Sequence, residues 1–271
     1  LPIPERRNLL VFRWDIFIQY LASPSSAVFF LKGAWTTLWI SVVAQFLGVV
    51  IGLLLALMRM SNFPSRKFPV LSGLARAYVW FFRGSPLLVQ VLLLFDGLPR
   101  LFPNVPFMLW PDWACVIVAF SLNEGAYMSE IIRAGIDSVD VGQMEASKAL
   151  GMRYWLAMRR IILPQAARVI IPPLGNEFNN MLKTTSIASV IGLYDLTYTA
   201  ETFGAPTFTI FELLVLATLY YLVLTTLWGF VQGWIERSLD PNRNIKVELD
   251  QRSLGSRIFG FGFNRANAGA R

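Results

Sequence analysis

The sequence predicts an all-α membrane protein with five transmembrane helices, on three observations. Hydrophobic residues make up 55% of the 271-residue chain and charged residues only 15%, too little charge to clothe a soluble domain of this length. Five long, largely apolar stretches recur along the chain, each of a length that can cross a bilayer. The charges collect in the short connections between them, as membrane-flanking charges do. That placement argues against a nucleic-acid partner in spite of the net charge of +7.

Residues 1–31 read as an extracytoplasmic or interfacial segment. Trp14, Phe17, Ile18 and Leu21 recur at helical spacing opposite Asp15 and Gln19, as in a helix lying along a membrane surface; a disordered leader is the alternative. Arg6 and Arg7 precede only a short apolar patch that Arg13 and Asp15 break, so no signal-peptide architecture is expected. A transmembrane domain is expected over 32–236. Its first span, 35–58, is uniformly apolar and is followed by a connection with Arg59, Pro64, Arg66, Lys67 and Pro69.

The second span, 75–98, is interrupted by Arg83-Gly84-Ser85-Pro86. Pro86 cannot donate a backbone hydrogen bond but can open a fresh helix from Leu87. Irregular backbone at membrane depth is tolerated only against protein or beside water, which leaves two readings, a packed kink or a piece of a translocation path. Trp110 and Trp113 mark an interfacial belt before a third span at 113–134. A polar connection, 137–164, leads to a fourth and unusually polar span at 165–192. After a loop with Asp195, Glu201 and Pro206 comes the fifth, 208–235, and a basic tail closes the chain over 237–271. Alternate connections carry eighteen Lys and Arg on one side and five on the other. The positive-inside rule then puts the 137–164 connection and the C-terminus in the cytoplasm and the N-terminus outside.

The 137–164 connection has a pattern of its own. Asp140 followed by Gln143 is a capping-box arrangement, Gly151 supplies a left-handed stop, and Pro164 begins the next helix. The expected form is a short helix, a glycine elbow and a second short helix, carrying Lys148, Arg153, Arg159 and Arg160 into water.

Glu145, Ala146, Ser147, Gly151, Ile161, Leu163 and Pro164 resemble the EAA loop of ABC importer permeases, with serine in place of the second alanine. The flanks, Phe82-Arg83-Gly84-Ser85-Pro86-Leu87-Leu88-Val89-Gln90, Gly125-Ala126-Tyr127, Gly142-Gln143 and Leu163-Pro164-Gln165-Ala166, resemble the polar amino-acid branch. The likeness extends over roughly 30–236. It implies the type I ABC importer permease fold, placed in the bacterial inner membrane, with the loop as coupling helix. It further implies two cytoplasmic ATPase subunits, a second permease subunit (itself or a similar one), an extracytoplasmic solute-binding protein, a polar amino acid as solute, and no cofactor. By resemblance Glu145, Ala146, Ser147, Gly151, Leu163 and Pro164 couple to the ATPase; a helix N-terminus also favours a carboxylate locally, so a folding role for Glu145 stands beside docking.

The fourth span points to the solute path. At about 100° per residue, Asn176, Asn179, Asn180 and Lys183 share one arc with Glu177 and Thr184 at its edge. An ionised side chain at the bilayer centre costs about 2.5 kcal/mol or more, so the arc faces the bundle interior, a partner or water. Either it lines a path, or Glu177 and Lys183 are neutralised and join helices. In the third span Glu130 and Arg133 read as a local ion pair, whereas Asn123, Glu124 and Tyr127 lie deeper. A buried carboxylate without a partner keeps its proton, making Glu124 a candidate ligand for a substrate ammonium and Lys183 its counterpart for a carboxylate.

The chain has no histidine and one cysteine, Cys115. That removes His-dependent triads, His-ligated zinc and an intrachain disulfide; no phosphate-binding Gly-x4-Gly-Lys motif occurs either. An enzyme acting within the membrane is disfavoured. An ion-coupled secondary transporter, whose broken helices and buried carboxylates look alike, is the remaining rival.

Overall fold

The computed structural model describes residues 12–60, 69–104 and 111–239. Among them every regular element is helical. The expectations for residues 1–11, for Pro64, Arg66 and Lys67, for Trp110 and for the tail beyond 239 lie outside the described residues. By contacts the chain divides into two units, Leu1–Gly229 and Phe230–Arg271. The described part of the second is the end of the last helix, where Gln232 Nε2 donates to Glu236 Oε1 at 3.0 Å.

Helix α1 (Trp14–Ala22) turns Phe17 into the protein and leaves Trp14, Ile18 and Leu21 exposed. The Arg13 amide donates to Glu212 Oε1 at 2.9 Å. Helix α2 (Pro24–Arg59) is 36 residues long, starting well before the expected first span. Hydropathy marks only the apolar part of a helix, and nothing between Pro24 and Trp35 breaks the backbone ladder. Helices α3 (Pro69–Gly84) and α4 (Leu87–Leu101) are the expected interrupted span, bent by 105° at the break. Within α4 the turn Leu93–Gly97 widens to π geometry.

Helix α5 (Asp112–Asp137) is the central element. It packs against α2 through small residues: a Cβ added at Gly48 would stand 2.6 Å from Glu124 Cγ, one at Gly52 would overlap Met128, and one at Gly125 would stand 2.5 Å from Ile51 Cγ2. Glycines four residues apart allow such close approach of two helices in a membrane. Around this contact Ile40 and Ala44 of α2, Val91 of α4, and Val116, Ala119 and Phe120 of α5 form one buried cluster with Met181, Ala188 and Leu193.

Next come α6 (Val141–Ala149) and α7 (Tyr154–Ala157). A π turn over Met158–Ile162 carries α7 directly into α8 (Leu163–Thr184). The expected second short helix and the fourth span are therefore one uninterrupted helical run from Tyr154, with Pro164 inside it. Pro164 has no amide for the Arg160 carbonyl, and the wider π turn lets the ring pass without ending the helix. The run keeps α geometry to Thr184 and tightens to 3-10 over Thr185–Ile191, ending at Gly192 with φ +84°. There the Thr184 and Thr185 hydroxyls back-bond to the carbonyls of Asn180 and Leu182. Helix α9 (Leu196–Gly204) is capped by Asp195, whose carboxylate accepts from the Tyr198 amide. Helix α10 (Ile210–Leu239) follows.

Among the described residues α2, α5 and α10 are long and apolar enough to cross a membrane, and the bent pair α3–α4 makes a fourth if it is one span. Helix α8, the remaining expected span, falls short because of its polar arc. Gly52→Val is expected to overpack the α2–α5 contact and cost about 1–3 kcal/mol, read as a lower thermal unfolding midpoint in detergent; an unshifted midpoint contradicts the contact.

Candidate functional site

Two regions gather the residues singled out above. The first is a cavity of about 610 Å³ lined by residues of α4, α5 and α8. Six of the seven path candidates line it: Asn123, Glu124, Tyr127, Glu177, Asn180 and Lys183. Leu87, Phe120, Met181 and Thr184 complete the lining. Asn176, one turn before Asn180 on α8, is not among the lining residues.

The positions follow from helix geometry. On α5, Asn123, Glu124 and Tyr127 lie within little more than one turn, and on α8 Glu177, Asn180, Lys183 and Thr184 follow at three- and four-residue spacing. Glu124 is 5% exposed, and its Oε1 has no hydrogen-bond partner among the described residues. Close behind it, on α2, lies Gln45, 6% exposed, whose Nε2 donates to Met128 Sδ at 3.5 Å and whose Oε1 is likewise unpartnered. Neither Glu124, Glu177 nor Lys183 forms an ion pair among the described residues. Charged side chains of both signs therefore face the cavity without a direct Glu177–Lys183 pair among the described residues.

Asn123 differs from the others. Pro86 deprives the Phe82 carbonyl of its helical donor, and Asn123 Nδ2 supplies one at 2.9 Å while also donating to Gln90 Oε1 at 3.1 Å. Its amide hydrogens serve the helix break. Gln90 closes the flank that carries the resemblance but has no role assigned from the sequence; the signal for one is a carboxamide alone in the apolar run Leu87–Leu92, four residues after Pro86.

Glu130 also has more partners than the expected local pair. Its Oε2 is 3.0 Å from Arg133 Nη2, while Oε1 is 2.7 Å from Arg59 Nη1 on α2 and 3.9 Å from Arg83 Nη1 on α3. Arg133 in turn meets Asp137 at 2.8 Å, and the Arg83 guanidinium lies 5.2 Å over the Tyr127 ring. One carboxylate thus ties the ends of three helices beside the cavity.

The second region is the 137–164 connection. Asp140 caps α6 by accepting from the Gly142 amide at 2.6 Å. The other half of the expected capping box is not formed: Gln143 Oε1 lies 3.5 Å from Gln165 Nε2 instead. Gly151 has φ +74°, with the Met152 amide bonded to Ser147 O at 3.0 Å and the Gly151 amide to Lys148 O at 2.9 Å, the paired bonds of a Schellman stop. Ser147 is buried and its hydroxyl donates to Gln143 O at 2.6 Å. Glu145 and Ala146 are exposed, as are Leu163 and Pro164 at the start of α8. Val141, Leu150 and Trp155 expose between 63% and 80% of their surface. Underneath, Met158, Ile162 and Ala166 pack on Ala56 of α2 and on Met128, Ile132 and Ile136 of α5, seating the elbow on the two most closely packed helices.

Helices long enough to cross a membrane, charged groups around an open cavity and a polar knob together fit a transporter. The comparisons with known proteins agree. Residues 48–241 match the family described as binding-protein-dependent transport system inner membrane component. The arginine transport system permease protein ArgU of Corynebacterium glutamicum is 38% identical over 86% of this chain and 74% of its own length. The arginine transport system permease protein ArtQ of Bacillus subtilis is 40% identical over 83% of this chain and 99% of its own. The putative glutamine transport system permease protein GlnP of Rickettsia prowazekii is 39% identical over 79% and 94%. Among solved structures, one of an amino acid ABC transporter with histidines superposes with a TM-score of 0.72 at 38% identity, over 81% of this chain and 98% of that one. The MetNI methionine ABC transporter shares the fold at a TM-score of 0.63 and 18% identity, over 80% and 99%. The chain belongs to the family of binding-protein-dependent transport system inner membrane components.

Asp140→Ala removes a cap and is expected to cost about 1 kcal/mol. Gly151→Ala meets no atom within 4 Å, so its cost, about 1 kcal/mol, is conformational. Both are read as faster amide exchange over 141–152, and Gly151→Asn, which tolerates the left-handed region, is expected to lose less.

Proposed function

We propose that this chain is the permease subunit of an ATP-driven importer whose solute crosses through the cavity between α4, α5 and α8, and that the solute is a cationic amino acid. The permease role in an amino-acid ABC importer follows from the family and from relatives at close to 40% identity over most of the chain. ATP hydrolysis then belongs to two cytoplasmic subunits docked at the exposed Glu145–Ala146 face of α6, with Gly151, Leu163 and Pro164 shaping the elbow. A second permease subunit and an extracytoplasmic binding protein complete the assembly in the bacterial inner membrane, with α8 as the fourth of five spans, the N-terminus outside and the C-terminus in the cytoplasm.

The observation that carries the solute reading is the convergence of Glu124, Glu177 and Lys183 on one cavity of about 610 Å³, a volume in the range of small-molecule sites. An α-amino acid brings an ammonium, matched by Glu124, and a carboxylate, matched by Lys183. The second carboxylate, Glu177, has no such partner and favours a solute with a further positive charge. Two of the relatives carry names as arginine permeases.

Uptake into liposomes by the complex with its ATPase and binding protein tests this. Lys183→Met is expected to lower apparent affinity about tenfold or more, the loss of one charge-assisted contact. Glu124→Gln and Glu177→Gln are expected to reduce preference for arginine over glutamine. Unchanged rate and preference in all three sink the assignment. The chain alone is expected to move no solute on an ion gradient; transport without the ATPase favours the ion-coupled rival.

A further inference from the structure

We infer that Gln90 and Asn123 form a clamp that fixes the break between α3 and α4 against the cavity, and that Gln90 is thereby a positioning residue for transport. The inference rests on the cavity being the solute path.

The Phe82 carbonyl, left without a donor by Pro86, receives two: Asn123 Nδ2 at 2.9 Å and Gln90 Nε2 at 3.0 Å. Gln90 Nε2 also reaches Ser85 O at 3.1 Å and Ser85 Oγ at 2.8 Å, while its Oε1 accepts from Asn123 at 3.1 Å. Gln90 is 4% exposed, so water does not stand in for it. One end of the clamped segment lines the cavity and the other touches its wall. Leu87 lines it directly, and Arg83 lies over the ring of Tyr127, another lining residue. A side chain at 90 must donate and accept at once to do this. Methionine has the length and neither capacity; asparagine has both capacities but is one methylene too short to reach Phe82, Ser85 and Asn123 together. Without the clamp the 105° bend loses the bonds across its gap, and the cavity wall carrying Leu87 and the Arg83–Tyr127 stack loses its fixed position.

The test uses the complete complex in liposomes, in a Cys115→Ser background that removes the chain's one thiol. Gly84→Cys is the reporter, because a Cβ there meets nothing within 4 Å. Gln90→Met is expected to raise KM for uptake about tenfold, the worth of a buried hydrogen bond or two, with kcat changed by about twofold or less. It is also expected to quicken labelling of Gly84→Cys by a thiol reagent and to leave the order of preference among amino acids unchanged. Asn123→Ala is expected to do the same, and the double variant to be no worse than either single one, as for two parts of one unit. Additive effects, a changed substrate order from Asn123→Ala alone, or an unshifted KM in Gln90→Met overturns the clamp. Should Gln90→Met fail to assemble, Gln90→Asn is expected to show the KM rise, and a wild-type KM there overturns it equally. If Glu124→Gln and Lys183→Met leave uptake untouched, the solute-path reading has failed, and the Gly84→Cys labelling still reports whether the clamp holds the break.

Discussion

Pro86 takes one amide hydrogen out of the break between α3 and α4 and leaves the Phe82 carbonyl without its helical donor. Every polar group at membrane depth has to be satisfied by protein or by a water-filled space, and the arrangement around the cavity follows from that requirement. The orphaned Phe82 carbonyl is met by Gln90 from one turn further on and by Asn123 from α5. Meeting it draws the break against α5 and brings Leu87 to the cavity. The polar arc of α8 answers to the same rule. Glu177, Asn180 and Lys183 lie on the same cavity as Asn123 and Glu124, where these two polar surfaces meet.

The same economy of polar contacts links the cavity to the elbow. Glu130 sits one turn beyond Tyr127 on α5 and collects Arg59, Arg83 and Arg133 from three helices. Pairs of this partly exposed kind are individually modest. Their effect is to hold the ends of α2, α3 and α5 at one point, beside the apolar cluster on which Met158 and Ile162 seat the elbow. A push on α6 therefore meets packed helices rather than a slack loop. In the proposed coupling role the elbow is a handle joined to helices that bound the cavity.

Much of the site could be read along the chain, for a definable reason. Asp140 and Gly151 act on backbone groups within a few residues of themselves, so cap and stop were visible as local patterns. The arc of α8 was visible because helical periodicity alone places Glu177, Asn180 and Lys183 together. The helical run from Tyr154 through Pro164 was not, because a proline after an elbow reads as the start of a new helix, and the π turn over Met158–Ile162 that joins the two has no local sequence signature. Glu130 looked like half of a local pair, since Arg59 and Arg83 are separated from it by 71 and 47 positions. Asn123 was expected on the solute path, and it lines the cavity; nothing near it in sequence reveals that the Phe82 carbonyl is also its neighbour.

By itself the sequence determined the helical class, the apolar stretches, the caps and elbow of the 137–164 connection, and which face of each helix is polar. Those properties depend on residue type and on contacts over a turn or two of chain. Only the tertiary structure decided which polar faces meet, which of their groups are spent on holding the helix break, and which remain unpaired around the cavity. Such pairings join residues dozens of positions apart, and they are set by how closely glycine-lined helices approach, which no local pattern encodes.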